Sequence, residues 1–213
     1  VYGGPVGSSR PDPNLVSEEA LTTVLDSNLR LLILIGTLVF TAFAIIQSVT
    51  AFYLQDKFSL DYYQTASATA MSLGAMAISS IIVQLTFVQR FSGESLRLLQ
   101  FSLPFFAAGS LVVIASSDFI FIVVGMSLVG LGMGLASPGY TATASLNSNS
   151  TNQGAAVGLA MVAPGLGFTI GPISGGFLYE INHIFPFVII LPILLVIYLI
   201  ITFLSLLKCS RKG

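Results

Sequence analysis

The sequence predicts an all-α membrane protein of six transmembrane helices, and three observations carry that prediction. The first is composition: of 213 residues, 54% are hydrophobic and only 8% charged, against about 25% charged in soluble domains. A soluble core of this size cannot hide so much apolar side chain behind so little polar surface. The second is spacing. Uncharged stretches run from Leu31 to Gln55, Tyr62 to Gln89, Leu98 to Ser117, Phe119 to Tyr179 and Ile184 to Leu207. The third is length. A bilayer core of about 30 Å takes roughly 20 helical residues at about 1.5 Å each, whereas barrel strands are about 10 residues of alternating polarity. These runs are unbroken and far longer, so helices are the expected element.

Taken in order, the chain opens on residues 1–26, where Gly, Pro and Ser crowd residues 3–13 as in a flexible linker. In SEEALTTVLDSNLR, Ser17 can cap a helix with Glu18 and Glu19 in its first turn. Leu21, Val24, Leu25 and Leu29 form one apolar stripe, which predicts a short amphipathic helix on the membrane face; a solvated tail is the alternative. The spans then fall at about 30–54, 62–88, 98–117, 119–145, 154–179 and 184–207. The fourth and fifth come from the one over-long stretch, which divides at the polar run NSNSTNQG, Asn147 to Gly154, by its turn chemistry.

Six spans put both termini on one side. With that side cytoplasmic, Arg10, Arg30, Arg90, Arg97, Lys208, Arg211 and Lys212 are inside and only Lys57 is outside, as the positive-inside rule requires. Asp56, Asp61, Asp118, Glu180 and His183 then lie in outer loops, His183 as a solvated loop residue, with a pH-responsive group beside Glu180 the alternative. The sequon Asn149-Ser150-Thr151 falls on the inner side, as a chance match. The expected location is an integral multi-pass protein of the plasma (inner) membrane.

What the spans lack narrows the function. No Asp, Glu, Lys, Arg or His lies in the middle of any span, so the chain by itself holds no proton relay, voltage sensor or ion-selective carboxylate ring. One His and one Cys, His183 and Cys209, cannot build a metal site, and Cys209 has no partner for an internal disulfide. Cys209, among Lys208, Arg211 and Lys212, reads as part of a basic anchor, with lipidation the alternative. No nucleophile has a buried base beside it, so an enzyme is not expected. GLGMG, Gly130 to Gly134, lies in an apolar span with no Lys-Ser/Thr pair and is not a nucleotide loop. A net charge of −1 with no basic stripe gives no reason to expect nucleic acid. No cofactor and no metal are expected.

The glycines read first as helix packing. Gly130 and Gly134 form a small-xxx-small pair, and Gly167, Gly171 and Gly175 extend that spacing, which lets backbones approach where the bilayer supplies no hydrophobic drive. Pro164 and Pro172 sit in the same span as the second set. Each removes a helix hydrogen bond at a cost of about 3 kcal/mol in water, a feature of elements that bend or slide.

Gly158, Gly167, Gly171, Pro172, Gly175 and Gly176 follow the pattern G-x8-G-x3-G-P-x2-G-G. This resembles, position by position, the antiporter signature (motif C) of the major facilitator superfamily. GLGMGLASPGY, QGAAVGLAMVAPGLGF and FLYE on its flanks look like the last three helices of drug-efflux members of that family, and the resemblance covers roughly residues 27–207. The family is built from two six-helix halves that are pseudo-repeats. The amino-terminal half of such antiporters has an acidic residue in its first helix and an arginine in the context R-x-x-x-G in its fourth. This chain has no acidic residue there and Met126 in place of the arginine. Its loop after the second span keeps only Arg90 of G-x-x-x-D-R-x-G-R, with Leu85, Gln89 and Ser92 at the first glycine, the aspartate and the second glycine. The resemblance therefore implies the carboxy-terminal half of a major facilitator-type bundle.

It further implies a secondary transporter that exports a small organic or drug-like molecule by proton antiport with alternating access. Its partners would be an amino-terminal six-helix half (in the same or a separate chain), the lipid bilayer, the substrate and a proton. In this fold the first and fourth helices of a half line the central cavity. That points to Thr37, Thr41, Gln47 and Ser48 on the first span, and to Met126, Met133, Ser137 and Tyr140 on the fourth. Small hydroxyls, thioethers and one phenol suit an amphiphilic substrate, since methionine repacks readily; the alternative is helix packing with hydroxyls bonded to their own backbone. Gln64, Thr65, Ser67 and Thr69 at the start of the second span read as packing residues. Gly158, Pro164, Gly167, Gly171, Pro172, Gly175 and Gly176 are the expected hinge and packing positions. Two other functions remain open: a structural or regulatory membrane subunit without transport, and a half-size transporter acting as a homodimer.

Overall fold

The computed structural model describes residues 27–146 and 153–210. The expected linker, the expected amphipathic helix up to residue 26, the sequon and the last basic residues lie outside them, while residues 27–30 of that stretch, Leu29 included, belong to the first span. The described chain is a bundle of six helices: α1 Ser27–Phe58, α2 Tyr62–Thr86, α3 Ser95–Ala115, α4 Phe119–Leu146, α5 Gln153–Ile181 and α6 Phe185–Ser210. All six are long and apolar enough to cross a membrane. The odd-numbered helices run from the Arg97 end of the bundle to the His183 end, and the even-numbered ones return.

Helix ends follow local chemistry. At the His183 end α1 stops at Ser59, which has a left-handed φ of 51°, and the Leu60 amide donates back to the Gln55 carbonyl at 3.1 Å. That closes a Schellman-type stop without the usual glycine. Two residues later Asp61 opens α2 with a capping box. Its carboxylate accepts from the Gln64 amide at 2.8 Å, and Gln64 Oε1 accepts from the Asp61 amide at 3.2 Å. At the Arg97 end a 3-10 turn, Val88–Arg90, links α2 to α3. Prolines 104, 138, 164, 172 and 192 all lie inside helices that continue through them.

Packing is by close backbone approach. α3 and α4 form the most extensive seam. A Cβ on Gly109 would meet the Gly125 carbonyl oxygen at 2.6 Å, and one on Gly125 would meet Val113 Cγ2 at 2.7 Å. Leu99, Leu103, Phe106, Val113, Ile122 and Val129 fill the rest of that seam, all buried. α2 lies on α4 at the pair found in the sequence: a Cβ on Gly130 would fall on the Met76 backbone, and one on Gly134 would meet the Ser80 carbonyl oxygen at 2.6 Å. α6 covers α3, tied by Gln100 Nε2, which donates to Thr202 Oγ1 at 2.8 Å. α1 is the most enclosed span and α2 the least. The fold is one half of a major facilitator-type bundle.

Candidate functional site: the α1, α4 and α5 faces

The α1–α5 seam organises the candidate residues. Both helices run the same way, and they meet along one row in a constant register. Ala163 lies by Gly36, with Tyr140 of α4 against the same spot. A Cβ on Gly167 would meet Phe40 Cβ at 2.5 Å and the Thr41 nitrogen at 2.9 Å, and one on Gly171 would fall on Ala44. A Cβ on Gly175 would reach Ser48 Oγ at 3.1 Å. The row continues with the Phe52 and Tyr179 rings, centroids 6.1 Å apart, and ends with Asp56 and His183. Spacing of four residues on both helices is what two nearly aligned α-helices need to keep one face in contact over several turns.

Of the glycine–proline positions, Gly167, Gly171 and Gly175 are therefore buried against α1. Gly158 and Gly176 have nothing within 4 Å of an added Cβ, and Pro172 is exposed. Pro164 is half-buried between the two faces.

The cavity candidates divide by burial and by hydrogen bonding. Met126 and Tyr140 are fully enclosed within the bundle. The Met126 sulfur lies 3.8 Å from Thr50 Oγ1, whose proton goes to the Ile46 carbonyl at 2.6 Å, and the Tyr140 ring meets Phe40 edge-on with centroids 5.7 Å apart. The Tyr140 hydroxyl has no hydrogen-bond partner among the described residues, an orphan that costs about 1–3 kcal/mol in a dry interior. Thr37, Thr41, Gln47, Ser48, Met133 and Ser137 are half-buried.

Ser48 donates to the Ile45 carbonyl at 3.0 Å, which is what a packing hydroxyl does in a membrane helix. Exposed Thr86 and Thr169, and half-buried Ser174 and Thr202, likewise bond back to carbonyls of their own helices. Thr37, Thr41 and Ser137 make no such bond among the described residues, nor does the Gln47 side chain. The α1 and α4 faces thus hold hydroxyls that have not been turned into backbone caps.

Thr65 and Thr69 join that set. Their hydroxyls are buried without a partner among the described residues, although by sequence both read as packing residues. One signal could have found them: they lie four residues apart, on one helix face.

A second polar group gathers at the His183 end. The Tyr179 hydroxyl donates to Asp56 Oδ2 at 2.6 Å, and His183 Nε2 lies 3.7 Å from the same oxygen. Lys57 Nζ donates to the Tyr53 hydroxyl at 2.8 Å and to Ser116 Oγ at 2.9 Å, while Tyr53 donates to the Val113 carbonyl at 3.1 Å. No three metal-ligating side chains come together among the described residues.

In comparison with known proteins, the family model of the Major Facilitator Superfamily matches residues 32–212. A search of curated proteins finds no match.

Proposed function

The chain belongs to the Major Facilitator Superfamily of secondary transporters, and from that premise we propose that it exports a small organic molecule in exchange for protons by alternating access. It is an integral multi-pass membrane protein. In this reading the substrate passes along the α1–α4 face between this half and an amino-terminal half, with the basic, Arg97 end of the bundle in the cytoplasm of a plasma-membrane transporter.

The observation that supports it is that Thr37, Thr41 and Ser137, half-buried on α1 and α4, make no side-chain hydrogen bond among the described residues. A hydroxyl facing lipid is best satisfied by its own helix, and an unsatisfied one costs about 1–3 kcal/mol. Keeping three of them free is economical only where water or a substrate supplies the missing partner. Met126 and Tyr140 would shape that wall from behind. The close α1–α5 seam then makes these two helices a unit that tilts together, with Pro164 and Pro172 on α5 where a bend would be absorbed.

No ionisable residue lies mid-span, so the proton carrier would belong to the other half. The same observation favours the second reading, a structural or regulatory subunit that keeps the fold without transport.

Proteoliposomes loaded with a fluorescent organic cation and given a pH gradient test the choice. Transport that is driven by the gradient and lowered about tenfold in a Thr41→Val, Ser137→Ala double variant, at unchanged insertion, supports the first reading. Unaltered transport in that variant would remove the proposed path, and no transport from the wild type would leave the subunit reading.

A further inference from the structure

We propose that Asp56, Tyr179 and His183 form a proton-sensitive clasp that holds α1 and α5 together at one end of the bundle. It goes beyond the transport reading and does not depend on it.

The α1–α5 row changes character along its length. From Gly36 to Ser48 on α1 it is held by small residues in backbone contact, which needs no charge. The last two steps, Phe52 with Tyr179 and Asp56 with His183, have no glycine and are joined by side chains alone. One carboxylate oxygen, Asp56 Oδ2, takes both connections: the Tyr179 hydroxyl at 2.6 Å and the His183 imidazole nitrogen at 3.7 Å. The imidazole also stacks on the Tyr179 ring, with centroids 4.8 Å apart and planes 9° from parallel.

His183 is held in this place by its turn. The Ile184 amide donates to Asn182 Oδ1 at 2.9 Å, and the Phe185 amide donates to the Asn182 carbonyl at 3.0 Å. Beside the clasp lies a pocket of about 220 Å³ lined by Tyr53, Asp56, Lys57, Ile114, His183 and Ile184. His183 is 60% exposed and Asp56 43%, so both are open to water.

Two connections to one oxygen make the protonation state of the imidazole decisive. At 3.7 Å a neutral ring adds little beyond stacking, since that distance exceeds hydrogen-bond range. A charged ring is attracted both to the carboxylate and to the Tyr179 π-face. Of the other charged groups near by, Lys57 lines the same pocket and opposes a charged ring, but its ammonium is drawn to the Tyr53 hydroxyl and to Ser116 at the end of α3, whereas the Asp56 carboxylate lies against the imidazole itself. Glu180 on α5 and Asp118 after α3 are exposed, make no ion pair among the described residues, and add only negative charge. The turn before α6 and the start of α6 place only apolar Ile184 and Phe185 here. Acidification therefore tightens the clasp, and neutral pH loosens it.

Hydrogen exchange on the protein in lipid nanodiscs tests this, at roughly pH 5.5 and roughly pH 7.5, either side of the range in which histidine changes charge. Corrected for intrinsic rates, amides of 52–58 and 177–183 should be about two- to five-fold more protected at the lower pH, the range an exposed ion pair delivers. His183→Gln should abolish the difference. Asp56→Asn keeps an acceptor for Tyr179 but no charge, and should abolish it too, while Tyr179→Phe should lower protection at both pH values. A wild type with equal protection at both pH values, or a His183→Gln or Asp56→Asn protein that keeps the difference, overturns the clasp. The readout needs no transport, so a protein without proton-coupled efflux can still have the clasp, and an active transporter can still lack it.

Discussion

The two faces of α5 carry the same kind of residue and have opposite surroundings. On one face Gly167, Gly171 and Gly175 lie against the α1 backbone; on the other Gly158, Gly165 and Gly176 open onto nothing within 4 Å. Met161, Leu166, Ile173 and Phe177 are exposed beside the open set. The contrast teaches that glycine in a membrane helix is explained by what approaches it, not by its presence. Where lipid is as apolar as the side chains, close packing is the drive that remains, and the α1 face has used it. In the proposed transporter this open face would be free to meet the amino-terminal half.

The sharpest way to break the comparison is Gly171→Leu, which places side chain on Ala44. Overpacking at backbone contact costs about 3 kcal/mol, the upper part of the usual range. The bundle should unfold at clearly lower temperature or denaturant concentration in detergent, and wild-type stability would mean α1 and α5 are not in contact. Gly167→Ala follows at about 2 kcal/mol, because the obstructing atoms include the Phe40 carbonyl carbon and the Thr41 nitrogen, which cannot swing away. Gly175→Ala should cost less still, since the nearest atom is the rotatable Ser48 hydroxyl.

Tyr140→Phe should raise stability by about 1 kcal/mol by deleting an orphaned buried hydroxyl. A loss instead would show that the hydroxyl has a partner in the membrane. The smallest effect belongs to the open face. Gly176→Ala should be neutral or stabilising by at most about 1 kcal/mol through helix propensity in the six-helix unit. Gly176→Leu should leave that stability unchanged and lower efflux in the assembled transporter. Equal sensitivity of Gly171 and Gly176 in the isolated unit would erase the distinction between the faces.

Much of the fold was legible in advance because each span announces itself. The Gly167, Gly171 and Gly175 spacing shows one close-packing face, and Gly130 with Gly134 shows another, now seen to receive α2. The candidate site was legible only in part. Residue type and periodicity placed Thr41 and Ser48 on one row, yet Ser48 bonds its own helix and Thr41 does not. That difference depends on rotamer and neighbours. Thr65 and Thr69 look like ordinary small residues at a span's start until their hydroxyls are found buried without partners. His183 reads as a loop residue; its contact with Asp56 exists only because α1 and α5 share a register.

The sequence by itself determined that the chain is six apolar helices with no ionisable group at their centres. In hydrocarbon every backbone amide must be satisfied within its own segment, so each span's conformation is decided locally. Tertiary structure alone decided which glycine faces meet a neighbour, which hydroxyls stay free, and that Asp56, Tyr179 and His183 converge. Those outcomes depend on which surfaces fit closely, and lipid, equally indifferent to every apolar face, leaves that choice to packing.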